Sequence, residues 1–285
     1  MFRFKQFVIR QERCPMKVGT DGVLLGAWAG VRPSDVRMLD IGTGTGLIAL
    51  MLAQRTEGIC DSAAGEGELP GGVHVTGVDV EDVAQARENA DASPWGGRVA
   101  FVQCPVQEFA PPQRFDLIVS NPPFFVDSLI CPDAGRTTAR HAVRLPFVEL
   151  RDAVVRLLAD GGRFAVILPT DEAARFIGVC RGHLLLIRRT DVRTTPRHPV
   201  KRVLMEFVRA DGKAAEKGCT GTCAAASGGG VFVASGDGMS VAFGRGMSAA
   251  FGGGPECSEL VIGTGEHEQY TPQYRALTRD FYLKF

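Results

Sequence analysis

The run Met38-Leu39-Asp40-Ile41-Gly42-Thr43-Gly44-Thr45-Gly46 constrains this chain more than any other feature: an apolar stretch ends in three alternating glycines and a helical pattern follows. Glycines at such a junction let the backbone bend sharply and approach a ligand, and the helix beyond them presents unpaired N–H groups. The run therefore predicts a strand, a bend and a helix, with a nucleotide-type site at the bend. Further apolar runs at Val36–Ile41, Val73–Val78, Val99–Val102, Phe115–Val119 and Arg163–Leu168 read as strands. Helical patterns at Gly46–Arg55, Glu81–Ala92 and Pro146–Ala159 separate most of them, the last with Phe147, Leu150, Val154 and Leu158 at helical spacing. Strands alternating with helices predict a parallel sheet covered on both faces. Leu184–Ile187 and Val203–Val208, joined through a Pro-containing turn, instead predict a C-terminal antiparallel hairpin.

The whole chain supports one such domain. Its 285 residues are 45% hydrophobic and 22% charged, which excludes disordered, fibrous and disulfide-stapled classes. Residues Met1–Arg13 hold no apolar run of export-signal length, and the longest uncharged stretch, Gly218–Ser235, is too rich in Gly, Ser and Thr to enter hydrocarbon. A cytoplasmic protein without a membrane segment is expected. The eight cysteines lack the paired short spacings of a zinc site, so reduced thiols and no metal are expected. Two stretches interrupt the pattern. Residues 57–72 are acidic and Gly-rich and read as a surface insertion. Residues 211–256 contain 13 Gly and repeat Gly-Met-Ser-Val-Ala-Phe-Gly (238–244) as Gly-Met-Ser-Ala-Ala-Phe-Gly (246–252). So little apolar area predicts a disordered loop, with ordered chain resuming at Glu259–Ile262.

The glycine bend alone leaves its ligand open, because Gly44-x-Gly46-x-x-Ala49 also satisfies a dinucleotide fingerprint. Val78-Asp79-Val80 closes the second strand and places a carboxylate where it can accept both hydroxyls of a ribose, or cap the helix that follows. Asp40 separates the ligands. A carboxylate just before the glycines repels a pyrophosphate but suits a cationic amino-acid end, which favours S-adenosylmethionine over NAD. Ser120-Asn121-Pro122-Pro123-Phe124 then follows the fourth strand, at the sheet edge where ligands bind. Its two prolines stiffen the loop and remove two donors, leaving carbonyls to accept. The Asn121 oxygen and the Pro122 carbonyl suit the two N–H groups of an exocyclic amine, and Phe124 offers a stacking face.

With these motifs the chain resembles class I S-adenosylmethionine methyltransferases of the amine-methylating group. Two N-terminal runs, Phe4-Lys5-Gln6-Phe7 and Cys14-Pro15-Met16-Lys17-Val18-Gly19-Thr20-Asp21-Gly22-Val23-Leu24-Leu25-Gly26-Ala27-Trp28, make the likeness closer. With Arg140-His141 and Leu277-Thr278-Arg279-Asp280-Phe281-Tyr282-Leu283, they are similar to the bacterial valine-tRNA adenine-N6 methyltransferase family, over nearly the whole chain outside the two insertions. The resemblance implies a doubly wound, mostly parallel seven-stranded α/β sheet of the Rossmann-like class I methyltransferase kind, ending in the antiparallel hairpin. It implies that Lys17, Thr20 and Asp21 cover the methionine end of the cofactor, that Asp40, Gly42, Gly44 and Gly46 line it, and that Asp79 and Val80 meet the ribose. Asn121, Pro122, Pro123 and Phe124 would hold the target adenine. Relatives usually carry an acid after the third strand, where this chain has Cys104-Pro105-Val106, so Gln107 or Glu108 is left for the cofactor's adenine amine. Phe124 stands where many relatives have Tyr.

The expected partner is tRNA, bound by a monomer. Residues 181–209 hold eight Lys or Arg against two acids, and residues 3–17 hold five against one. Arg188, Arg189, Arg193, Arg197 and Lys201, with Arg140 and His141, are the candidate RNA contacts. Methyl transfer by in-line displacement needs orientation more than a strong base, and an anticodon loop offers a base that unstacks cheaply. Two rivals keep the chemistry and change the acceptor, to a ribosomal-RNA guanine amine or a release-factor glutamine amide. An NAD-dependent oxidoreductase and a non-catalytic RNA-binding scaffold are the rivals from other classes.

Overall fold

The computed structural model describes residues 1–58, 72–123, 145–210 and 254–284. In chain order its strands are β1 (Phe2–Arg3), β2 (Val8–Ile9), β3 (Arg37–Ile41), β4 (His74–Asp79), β5 (Val99–Gln103), β6 (Phe115–Ser120), β7 (Leu158–Pro169), β8 (Leu184–Arg193), β9 (Val200–Arg209) and β10 (Glu256–Val261). The helices are α1 (Thr20–Trp28), α2 (Leu47–Arg55), α3 (Ala84–Asp91), α4 (Phe147–Leu157), α5 (Thr170–Cys180) and α6 (Pro272–Thr278).

Eight of these strands form one sheet in the order β10-β8-β9-β7-β6-β3-β4-β5. All pairings are parallel except those of β9, which runs against both β7 and β8. The chain winds outward from β3 through β4 to β5, then returns to the other side of β3 with β6, so the winding reverses beside β3. Crevices at such a reversal are where open α/β sheets bind ligands.

The expected seven strands are eight. The hairpin is present as β8 and β9, and β10 adds itself in parallel to the outer side of β8, Glu256 opposite Arg188 through Val261 opposite Arg193. This strand begins at the end of the stretch read as a loop. Only Leu260 among its six residues is buried, so no alternation of apolar and polar residues announces it. Most of residues 57–72 and 211–256, including the Gly-Met-Ser repeats, lie outside the described residues.

Two apolar layers enclose the sheet. One face packs α1, α2 and α3 around Leu24, Leu50, Met51 and Val75; the other packs α4 and α5 around Leu150, Phe164, Phe176 and Phe207. Helix α2 is buried along its whole length up to Arg55, as its almost uniformly apolar sequence requires. Its close contact with α1 depends on Gly26, where a Cβ would lie 2.7 Å from Met51 Sδ. Arg55 then donates to the carbonyls of Gly26 and Ala29, at the end of α1 where a cation is favoured. The first turn of α1 is thereby held beside the first turn of α2 and its glycine bend.

A buried ion cluster joins α1 to the far half of the sheet. Arg163, 2% exposed, pairs with Asp35, with Glu206 at 3.3 Å and with the Gly30 carbonyl at 2.6 Å. Arg188 completes it, meeting Glu206 at 2.5 Å and lying 3.7 Å above the Trp28 ring. No helix among the described residues is long and apolar enough to cross a membrane.

Candidate active site

Three carboxyl strand ends meet at the reversal point. After β3 the backbone turns through Gly42, Gly44 and Gly46 at φ of 74°, 52° and 79°, a left-handed region that only glycine enters without strain. The bend is anchored from β4: Gly42 and Thr43 donate to the Val78 carbonyl at 2.8 and 3.2 Å, and Gly44 donates to Asp79 Oδ2 at 2.8 Å. Around Gly42 and Gly44 a Cβ would meet nothing within 4 Å, so both face open space; at Gly46 it would lie 2.8 Å from Phe101 Cζ. Two glycines therefore keep a cradle open, and the third lets the bend lie against β5.

Asp40 sits at the floor of this cradle and is fully buried. Its Oδ2 accepts the Thr43 hydroxyl at 2.7 Å, while Oδ1 is buried without a partner. Burial pushes the carboxyl up to about 7, and Asp79 nearby adds to the effect against the Thr43 bond. An orphaned buried oxygen costs free energy until something donates to it. Asp79 is only half-buried; its Oδ1 accepts Glu81 N at 3.0 Å in the turn after β4, while α3 begins only at Ala84 with Val83 at its N-cap and no side-chain cap, so the helix-capping role is not realised and each oxygen keeps a lone pair. Val80, 49% exposed, forms the open rim beside it.

From the other side of β3, the Ser120 hydroxyl donates to the Ile41 carbonyl at 2.9 Å and clamps the end of β6 to the start of the glycine bend. Asn121, Pro122 and Pro123 follow at once. Asn121 Oδ1 is a second buried oxygen without a partner. Phe124, Arg140 and His141 lie outside the described residues. Thus Asp40, Gly42, Gly44, Gly46, Asp79, Val80 and Asn121–Pro123 are brought together at one crevice. Ser120 and Thr43, which hold it, were not singled out from the sequence; a hydroxyl on either side of a motif is too common to be read as a signal.

The N-terminal segment covers this crevice from α3. Asn89 binds Arg10 through both N–H and carbonyl and also donates to the Thr45 carbonyl, and Arg13 N donates to Gln85 Oε1. Lys17 turns its ammonium to the carbonyls of Gln11 and Cys14, which closes the loop leading into α1. Thr20 and Asp21 open α1, with Asp21 accepting from Arg202 at 2.7 Å. Gln107 is exposed and donates to Glu149 at the start of α4.

The basic hairpin divides in two. Arg188 is compensated inside the molecule by Glu206 and Trp28, and Arg189 pairs with Asp191 at 2.8 Å. Arg193 pairs with Glu259 at 2.9 Å beside the hairpin turn, on the same sheet edge as Asn121. Arg197 and Lys201 are exposed there. No group of three or more His, Cys, Asp or Glu suited to a metal occurs among the described residues.

Comparison with known proteins agrees with this geometry. A methyltransferase-domain family model matches residues 33–184. A tRNA1(Val) (adenine(37)-N6)-methyltransferase of Bacteroides thetaiotaomicron is 37% identical over 99% of this chain and 97% of its own length. The Flavobacterium johnsoniae protein of the same name is 37% identical over the full length of both, and that of Trichodesmium erythraeum is 45% identical over 72% of this chain and 83% of its own. Among solved structures, a predicted O-methyltransferase of Agrobacterium tumefaciens superposes with a TM-score of 0.57 at 15% identity, covering 92% of this chain and 96% of that one, a likeness of fold.

Proposed function

Because the chain belongs to the tRNA1(Val) (adenine(37)-N6)-methyltransferase family, we propose that the crevice between β3, β4 and β6 methylates the N6 amine of adenine-37 in valine tRNA. Family membership decides between the two ligands of the glycine bend in favour of S-adenosylmethionine. When bound, that cofactor supplies a methyl group on a sulfonium, open to in-line displacement by an amine without a covalent enzyme intermediate.

The residues present fit it. Asp40 Oδ1, buried and unpartnered, is an acceptor for a cationic amino-acid end. The open faces of Gly42 and Gly44 admit a ligand against the backbone, and Asp79 accepts ribose hydroxyls beside Val80. Thr20 and Asp21 close the methionine side, with Lys17 bracing the loop before them. Gln107 or Glu108, after β5, would be left to meet the cofactor's adenine amine.

The observation that carries the reading is Asn121 Oδ1, a buried acceptor without a partner one residue beyond the clamp that ties β6 to the glycine bend. Asn121 Oδ1 takes one N–H of the adenine amine and the Pro122 carbonyl takes the other. Both bonds would draw the nitrogen lone pair out of ring conjugation and leave it free to attack, with Pro122 and Pro123 fixing the loop that holds the amine. Holding nitrogen and carbon in line is worth about 7–11 kcal/mol in well-oriented systems. The methylated amine is acidic enough to release its proton to water, so His141 is not needed as a base. Arg193 and Arg197 would face the RNA backbone along this edge; Arg140 and His141 lie outside the described residues.

The test offers methyl-labelled cofactor with valine tRNA, ribosomal RNA and release factor. Label is expected in the tRNA alone. Asn121→Ala is expected to lower turnover about a hundredfold or more while S-adenosylhomocysteine still binds; undiminished turnover would refute the role of Asn121.

A further inference from the structure

Outside the crevice just described, the described residues line a half-open pocket of about 640 Å³ to which the reaction above assigns no role. It lies on the same edge and the same face of the sheet as the glycine bend. Val192 and Thr194 at the end of β8, Lys201 and Arg202 at the start of β9, and Ile262 just beyond β10 form its base. Thr20 and Asp21, on the first turn of α1, form the wall towards the cofactor cradle.

The register fixes how near it is. Ser120 of β6 stands opposite Val166 of β7, and Pro169 of β7 stands opposite Arg202 of β9. Carrying β6 on to Asn121 leaves Arg202 two strands across and two residues along, on the order of 12 Å at ordinary strand spacing and rise.

Two aspects of the lining point to one kind of occupant. All three tyrosines of the chain, Tyr270, Tyr274 and Tyr282, line this cavity together with Phe2. Tyr270 and Tyr274 stack at 5.3 Å, and Tyr274 is buried while Tyr270 is 38% exposed, so the cluster is fixed below and reaches solvent above. Around it stand Arg3, Lys201, Arg202 and Lys284 against one lining acid, Asp21, which already pairs with Arg202. Lys284 also approaches Glu268, at 3.9 Å on the surface, a separation at which little charge is neutralised. Aromatic faces inside a positive rim are what single-stranded nucleic acid requires: rings for its bases and cations for its phosphates.

We propose that this cavity receives a second nucleotide of the substrate RNA, unstacked beside the target adenine, its base on Tyr270 and its phosphate among Arg3, Lys201 and Lys284. The inference rests on the RNA-methylating reading above. It assigns the cavity a positioning role: by holding a neighbour, the pocket sets the strand so that the target amine reaches Asn121.

The test compares Tyr270→Ala, Tyr270→Phe and Lys201→Glu with the wild-type chain, using an anticodon stem-loop RNA of valine tRNA as probe. Tyr270→Ala and Lys201→Glu are expected to raise the KM for the stem-loop about tenfold or more, with kcat at saturating RNA and the Kd for S-adenosylhomocysteine little changed. Tyr270→Phe, which keeps the ring, is expected to restore the wild-type KM. A purely structural role for Tyr270 would instead move the cofactor Kd and the RNA KM together. Lys201, being exposed, provides a second variant that does not disturb the core. If the wild-type chain methylates the stem-loop and both variants match its KM, the pocket proposal is overturned and the assigned function stands. If the wild-type chain methylates no RNA, both fall.

Discussion

Asp40→Asn separates the charge of the buried carboxyl from its shape. In the folded chain without cofactor this carboxyl is fully buried and pushed from 3.8 up to about 7. Because the folded value lies above the unfolded one, the fold binds the proton more tightly. Its stability is complete below about pH 4 and is lost progressively as the pH rises to about 7. At 1.36 kcal/mol per decade that interval corresponds to roughly 4 kcal/mol, an upper bound because local relaxation lowers it. Asparagine keeps the size and the acceptor for Thr43 and removes the charge. Asp40→Asn is therefore expected to leave the melting temperature little changed at pH 5 and to raise it at pH 8, by at most about 8–16 °C at roughly 2–4 °C per kcal/mol. The same charge is what a cationic ligand end recognises. In the wild-type chain the affinity for S-adenosylhomocysteine is expected to rise with pH through about 7 and then level off, whereas in Asp40→Asn it should be weaker and flat. Thermal unfolding and titration calorimetry at pH 5, 6, 7 and 8 read both effects. Equal melting temperatures at pH 8 would show that Asp40 bears no buried charge and would refute the reasoning.

The ion cluster and the bend give further expectations. Glu206→Gln leaves Arg163 and Arg188 without their shared carboxylate in a site 4% exposed, and is expected to cost about 3–5 kcal/mol in urea unfolding at pH 7. Gly46→Ala forces a Cβ to 2.8 Å from Phe101 at a φ of 79°, and is expected to cost about 1–3 kcal/mol and to weaken cofactor binding. Gly97→Ala, where a Cβ meets nothing within 4 Å, serves as the neutral control within about 0.5 kcal/mol in the same assay.

The parts of the site that were readable in the sequence are those in which backbone geometry forces residue type. Three alternating glycines have to bend, and two consecutive prolines have to stiffen, so Gly42–Gly46 and Asn121–Pro123 announce themselves before any contact is known. Asp79 was legible for the same reason, since it ends a strand whose length the apolar pattern sets. Long-range partnership leaves no local trace. Arg188 reads as one more surface cation in a basic hairpin, and only the fold shows it held by Glu206 and Trp28. Strand β10 was hidden because five of its six residues are not buried. The tyrosine cavity is likewise unreadable, because Phe2 and Tyr282 come from opposite ends of the chain and meet only when the N-terminal segment packs against the C-terminal one.

The direction of the sheet also decides on which rim the two glycine-rich stretches attach. Helix α2 carries the chain away from the cradle before residue 58, and it re-enters at β4 from the far rim; β9 likewise ends on that rim, and β10 begins midway along β8 and runs away from it, on either side of the Gly-Met-Ser repeats. Residues 57–72 thus attach on the rim remote from Asn121, and residues 211–256 leave from that same rim. A change of length in either stretch therefore acts first on the rim opposite the one where Ser120 ties β6 to the glycine bend.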